Sequence, residues 1–99
     1  MTAPVDPLVT LIAALQGATE HELSSIAAGI LAASHLGIAQ DSRSFARKLD
    51  LAHALVLREC VALAEDLNLI DLDDRQDKSQ RLFFSLTEKA KMLIAETVT

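Results

Sequence analysis

The sequence predicts a mainly α-helical domain with one small β-hairpin, in the order helix-helix-helix-helix-strand-strand-helix. Two observations lead to this prediction. Apolar residues recur at helical spacing before Asn68 and again after Thr87, and the period changes between them to that of short strands. The chain has 99 residues, which is the length of one ordinary domain.

We expect this domain to occupy the whole of 1–99, because no repeat, low-complexity tract or interdomain linker divides the sequence. Its parts are an N-terminal helix within 1–18, a core within 19–86 and a C-terminal helix within 87–99.

The first two helices have recognisable ends. Pro7 suits a first helical turn, and Gly17 is a natural stop, so the first helix is expected from Pro7 to Gly17. Thr19 is expected to cap the second helix, because Glu22 follows three residues later as in a capping box. Gly37 closes that helix.

A short helix and a longer one follow. Asp41 or Ser42 is expected to cap a third helix over 43–49. A tight turn then leads to a fourth helix over about 52–66. It ends near Asn68, a residue type that tolerates the left-handed backbone of a helix C-terminus.

The rest of the chain predicts a hairpin and a last helix. Strands are expected at 69–72 and 81–86, joined by a polar and charged turn over 73–79. Thr87 is expected to cap a final helix that runs through Ala95.

Three helices followed by a two-stranded hairpin is the plan of a winged helix-turn-helix domain, and 44–56 has the spacing of its helix-turn-helix. Ala46 is small where two helices cross closely. Leu49 and Leu51 bracket the turn, and Val56 is placed to pack the second helix onto the first.

The composition indicates a cytoplasmic protein that forms a homodimer. Hydrophobic residues make up 51% of the chain, more than one thin domain usually buries, so we expect a second buried surface, most simply that of a homodimer. In a regulator, the first helix together with Leu93 and Ile94 would form this surface, and the sequence leaves open whether the first, second or last helix does so. Cys60 is the only cysteine, which fits a reducing compartment. Residues 1–11 lack the features of a signal peptide.

No pattern in the sequence supports catalysis, a metal site or a cofactor, so we expect none of them. The three glycines form no phosphate-binding loop, and no serine lies in a glycine-flanked elbow. The consecutive residues 20–22 (Glu-His-Glu) point in different directions on a helix and cannot converge on one ion. Cys60 is expected to pack in the core rather than to sense redox state.

Between residues 41 and 96 the chain resembles the MarR-like winged-helix regulators. The segment DKSQRLFFSLTEKAKMLIAE (77–96) is similar to the wing and following helix of that family. The run Leu-Thr-Glu-Lys at 86–89 matches the family's LTEKG-type cap, with Ala90 in place of the glycine. The resemblance implies a dimeric transcription regulator that places two recognition helices in successive major grooves of double-stranded DNA.

Carried over by position, the resemblance implies a recognition helix over 52–65. The DNA-contacting residues that it implies lie on the third helix, on the groove-facing side of the recognition helix and in the wing; they are Arg43, Arg47, His53, Ala54, Leu57, Arg58, Arg75, Lys78 and Arg81.

Two features leave a second interpretation open. The chain has a net charge of −5, and the fourth helix is largely apolar, with Leu57 where a small polar residue is expected. Arg58 would contact a guanine or pair with Asp66 on the surface. The alternative function is therefore a protein–protein interaction through an apolar fourth helix that exposes Leu57, Leu55 or Val61, without DNA binding.

Overall fold

A computed structural model describes residues 6–18, 23–73 and 81–98 of the chain. Within these ranges the predicted order is confirmed: α1 (Pro7–Ala18), α2 (Ser25–His35), α3 (Ser42–Lys48), α4 (His53–Glu65), β1 (Ile70–Leu72), β2 (Phe84–Leu86) and α5 (Glu88–Val98). The described helices all fall short of the length and apolar character needed to cross a bilayer.

Helix α2 lies at the centre of the molecule. It packs against α1, α4 and β2, and every residue over 27–33 is buried. Gly29 lets the ring of Phe45 approach its backbone, because a Cβ at this position would lie 3.1 Å from Phe45 Cζ. The other helices thus share one core built around α2.

Most predicted helix ends agree with the structure. Asp41 caps α3, since its carboxylate accepts a hydrogen bond of 2.8 Å from the Ser44 N–H. The backbone is left-handed at Asp50 and at Asn68, both with φ of 54°. Thr87 caps α5, and its hydroxyl accepts a hydrogen bond of 3.1 Å from the Ala90 N–H.

The predicted start of the second helix is wrong. Helix α2 begins at Ser25, after Ser24 as N-cap, whose hydroxyl accepts a hydrogen bond of 3.0 Å from the Ala27 N–H. A serine at the N-cap satisfies one of the orphan backbone donors. Residues 19–22, which include the capping box predicted from Thr19 and Glu22, lie outside the described residues.

The two strands form an antiparallel pair in which Ile70 faces Leu86 and Leu72 faces Phe84. Phe83 makes a further antiparallel bridge with Asp41, just before α3. The returning strand is therefore held on both sides, by β1 and by the start of the helix-turn-helix.

Much of the surface that was predicted to form a dimer packs against other elements of the same chain. Leu11 and Leu15 of α1 are buried, and α1 packs against α2 and α5. Ile94 is 1% exposed because it fills the chain's own core, so it does not lie on the surface of the single chain, and the homodimer stays a prediction. Val9 and Met92 remain exposed on these helices.

Two leucines of α4 provide a matched test of this packing. Leu63 is fully buried and Leu55 is 44% exposed. We expect Leu63→Ala to lower the free energy of unfolding by about 2–5 kcal/mol, because it removes transfer energy and leaves a cavity. Leu55→Ala should lower it by about 0.5 kcal/mol or less. Urea unfolding followed by far-UV circular dichroism measures both, and equal losses would contradict this arrangement of α4.

Candidate nucleic-acid interface

The two helices that were predicted to cross pack against each other through a short turn. Leu49 ends α3, Asp50 adopts the left-handed conformation, and the Leu51 N–H donates to the Ala46 carbonyl at 2.8 Å. Ala46 and Val56 are both buried. This geometry holds the outer surfaces of α3 and α4 in one fixed relation.

Helix α4 has a buried side and an exposed side. Val56, Cys60 and Leu63 are buried, so the helix is anchored by one face. The exposed residues are Ala54, Leu55, Arg58, Val61 and Glu65, while His53 and Leu57 are half-buried. Arg58 is thus the one cation that α4 exposes.

The preceding helix adds further positive charge. Arg43 and Arg47 are exposed on α3, and the ammonium group of Lys48 donates to the Ile38 carbonyl. From the start of α3 to the end of α4 (42–65) the sequence contains four basic residues and three acidic residues, although the whole chain has a net charge of −5. The basic part of this surface is α3, where Arg43, Arg47 and Lys48 are exposed and no acidic residue lies.

The acidic residues at the end of α4 lie in two different places. Glu59 and Asp66 line a groove of about 310 Å³ together with Leu23 and Leu67, on the side of α4 that packs toward α2. Glu59 thus lines this groove, whereas Glu65 is exposed two turns after Arg58, on the same side of the helix. The exposed side of α4 therefore carries one cation, Arg58, and one carboxylate, Glu65.

The returning strand of the hairpin is joined directly to the start of α3. The Phe84 N–H donates to the Gln40 carbonyl at 3.0 Å, and the Ser42 N–H donates to the Leu82 carbonyl at 2.9 Å. In return, the Leu82 N–H donates to the Ser42 hydroxyl oxygen at 2.9 Å. These bonds fix the returning strand against the helix-turn-helix.

Of the three predicted wing contacts, Arg81 alone lies within the described residues. Its Nε is 3.4 Å from Asp41 Oδ1, and its guanidinium carbon is 5.8 Å from the centre of the Phe83 ring. Its side chain is 34% exposed. Arg81 therefore neutralises Asp41 at the base of the wing, and Arg75 and Lys78 lie outside the described residues.

His53, the first residue of α4, contacts the start of α3. Its Nε2 is 2.9 Å from Ser42 Oγ. Burial lowers the pKa of His53, and Arg43 and Arg81 lower it further, while Asp41 acts in the opposite direction. The neutral imidazole is therefore favoured in the folded chain.

A serine, a histidine and an aspartate thus lie close together, but their geometry does not suit catalysis. Ser42 is fully buried, and its oxygen already accepts the Leu82 N–H. Asp41 caps α3 and pairs with Arg81. Sequence analysis did not find the Ser42–His53 contact, because no spacing rule links residues that are eleven positions apart on two helices.

Cys60 is fully buried, as the sequence predicted. Burial raises the pKa of its thiol to about 12, and the charge of Glu59 contributes to the same shift. The thiolate is therefore strongly disfavoured, which makes Cys60 a packing residue.

Comparisons of the chain with protein-family models, curated proteins and solved structures give no match. The MarR-like resemblance stays a prediction that depends on the residues quoted above.

The lowered pKa of His53 predicts how stability depends on pH. The contribution of His53 to stability is complete above pH 6.5, its ordinary pKa, because the imidazole is then mostly neutral in both the folded and the unfolded chain. Below pH 6.5 the unfolded chain binds a proton more readily than the folded chain does. The contribution should therefore be lost as pH falls through the pKa that His53 has in the folded chain. We expect His53→Gln to flatten the fall in unfolding free energy between pH 7.5 and pH 5, measured by urea unfolding.

His35→Gln is the matched control for the loss of a histidine, since His35 is exposed at the end of α2 and takes no part in the contact between Ser42 and His53. If the unfolding free energy of His53→Gln falls with decreasing pH as steeply as that of the wild type, the lowered pKa of His53 is contradicted.

Proposed function

We propose that this chain is a small winged helix-turn-helix protein that binds double-stranded DNA as a homodimer and regulates transcription. The observation that carries the proposal is the local charge of the helix-turn-helix. Arg43, Arg47 and Arg58 are exposed there on a chain whose net charge is −5. A basic surface on an otherwise acidic protein is the electrostatic pattern that phosphate binding requires.

The start of α4 supports the same proposal. Its N-cap is Ala52, which provides no side-chain hydrogen bond to the first backbone N–H groups. Such unsatisfied donors, together with the positive end of the helix dipole, favour a phosphate group. Arg43 is close enough to affect the pKa of His53, so an arginine lies near this helix end.

Each exposed residue then has a role set by its chemistry. Arg43 and Arg47 contact phosphates from α3, which positions the domain without selecting a sequence. Ala54 permits close approach of α4 to the major groove, and Arg58 supplies a donor pair of the kind that binds the O6 and N7 atoms of guanine.

A second candidate is a protein–protein interaction through α4. It is favoured by Leu55 and Val61, which are 44% and 40% exposed on the same helix. Apolar residues exposed on one helix face suit a protein partner. The two candidates differ in which residues of α4 and α3 carry the binding energy.

The experiment compares two pairs of substitutions by fluorescence anisotropy, with labelled duplexes from the promoter region of the chain's own gene. We expect Arg43→Ala with Arg47→Ala to weaken binding at least about tenfold, because two charge-assisted contacts are lost. The slope of log affinity against log salt should fall by about one for each phosphate contact removed. Leu55→Ala with Val61→Ala should leave binding nearly unchanged.

Lys91→Ala is the control for net charge, since it removes a cation from α5, where Lys91 pairs with Glu88 at 3.4 Å. Its affinity should match that of the wild type. Absence of binding by the wild type even at low salt would refute DNA binding, since non-specific affinity is electrostatic. The protein-interaction candidate would then stand alone.

A further inference from the structure

The residues Asp41 and Ser42 join parts of the molecule that a winged-helix protein must hold in register. Asp41 caps α3 and pairs with Arg81 at the base of the wing. Ser42 bonds Leu82 of the returning strand and His53 at the start of α4. One short segment therefore connects the first helix of the pair, the second helix and the wing.

The hydrogen-bonding capacity of Ser42 constrains the charge of His53. The Ser42 oxygen accepts the Leu82 N–H, and its hydroxyl hydrogen then needs an acceptor. A neutral His53 that carries its proton on Nδ1 accepts this hydrogen at Nε2, which lies 2.9 Å from the Ser42 oxygen. A protonated imidazole presents an N–H there instead, so the hydroxyl hydrogen of a fully buried serine loses its partner.

The charged groups around His53 increase this cost. Arg43 of α3 and Arg81 at the base of the wing both disfavour a second positive charge, and desolvation acts in the same direction. Asp41 favours the charge, but its carboxylate is already engaged with Ser44 and Arg81. Protonation of His53 therefore opposes the contact that Ser42 makes.

We infer that Ser42 and His53 are positioning residues that hold the wing against the start of α4, and that protonation of His53 releases this link. As far as it concerns DNA, the inference rests on the proposed function. Release of the wing lowers affinity for duplex DNA at acidic pH. This direction is distinctive, because the added positive charge alone would raise the affinity.

Amide hydrogen exchange in the DNA-free full chain tests the link itself. The probe is the Leu82 amide, and the internal control is the Phe84 amide, which donates to Gln40 rather than to Ser42. We expect Ser42→Ala to lower the protection factor of Leu82 about tenfold, as loss of one net hydrogen bond predicts, and to change that of Phe84 much less.

Two variants of His53 distinguish a specific effect of its protonation on the Leu82 amide from a general change in stability. In the wild type, protection of Leu82 relative to Phe84 should fall between pH 7.5 and pH 5.5. His53→Gln should keep the high value at both pH values, because its side-chain amide occupies the place of Nε2 and does not titrate. His53→Ala should show the low value at both.

A wild-type ratio that does not change with pH, or one that falls equally in His53→Gln, overturns the inference. If Ser42→Ala does not fold, the comparison of wild type with the two His53 variants decides it alone.

Duplex binding at the same two pH values then tests the consequence. We expect affinity of the wild type to fall several-fold at pH 5.5 and that of His53→Gln to stay level. An affinity that rises at pH 5.5 in the wild type overturns the functional part of the inference. No binding at either pH refutes the proposed function, whereas the exchange experiment still decides whether Ser42 and His53 hold the wing.

Discussion

The structure depends on the attachment of the returning strand to the first residues of α3. Gln40 and Ser42 exchange backbone hydrogen bonds with Phe84 and Leu82, and Asp41 pairs with Arg81. A two-stranded hairpin is marginal by itself in water, so this third line of contacts gives the wing a defined place. It also fixes where α5 begins, because β2 leads directly into that helix.

The same attachment also affects which charged side chains are exposed near α3. Asp41 is buried and paired with Arg81, so it does not oppose the arginines of the outer surface. Glu59 lies in the groove between α4 and α2. The folded chain thus separates its charges, and an acidic sequence presents a basic patch at Arg43 and Arg47. Net charge therefore does not describe the local field at α3, which is the quantity that acts on a binding partner.

The sequence predicted the order of elements because its helical periodicity, caps and strand-like runs agree with one another. It failed at the start of α2, where Thr19 and Ser24 are both plausible caps and only tertiary packing selects one. Periodicity placed Ile94 on an apolar face correctly, but it does not tell whether that face meets the same chain or another. The candidate site was predicted as a set of exposed positions, and the structure adds contacts between distant residues that no spacing rule gives, which join Ser42 to His53 and Leu82 and Asp41 to Arg81.

The most direct test of the account is a titration of the ¹⁵N-labelled protein with a short duplex at low salt, followed by amide chemical shifts. The account predicts that the largest changes occur at Arg43, Arg47 and the first two turns of α4, while Val9 and Met92 on α1 and α5 change little. Changes confined to α1 and α5, or no changes at any DNA concentration, would contradict the assignment of the helix-turn-helix as the binding surface.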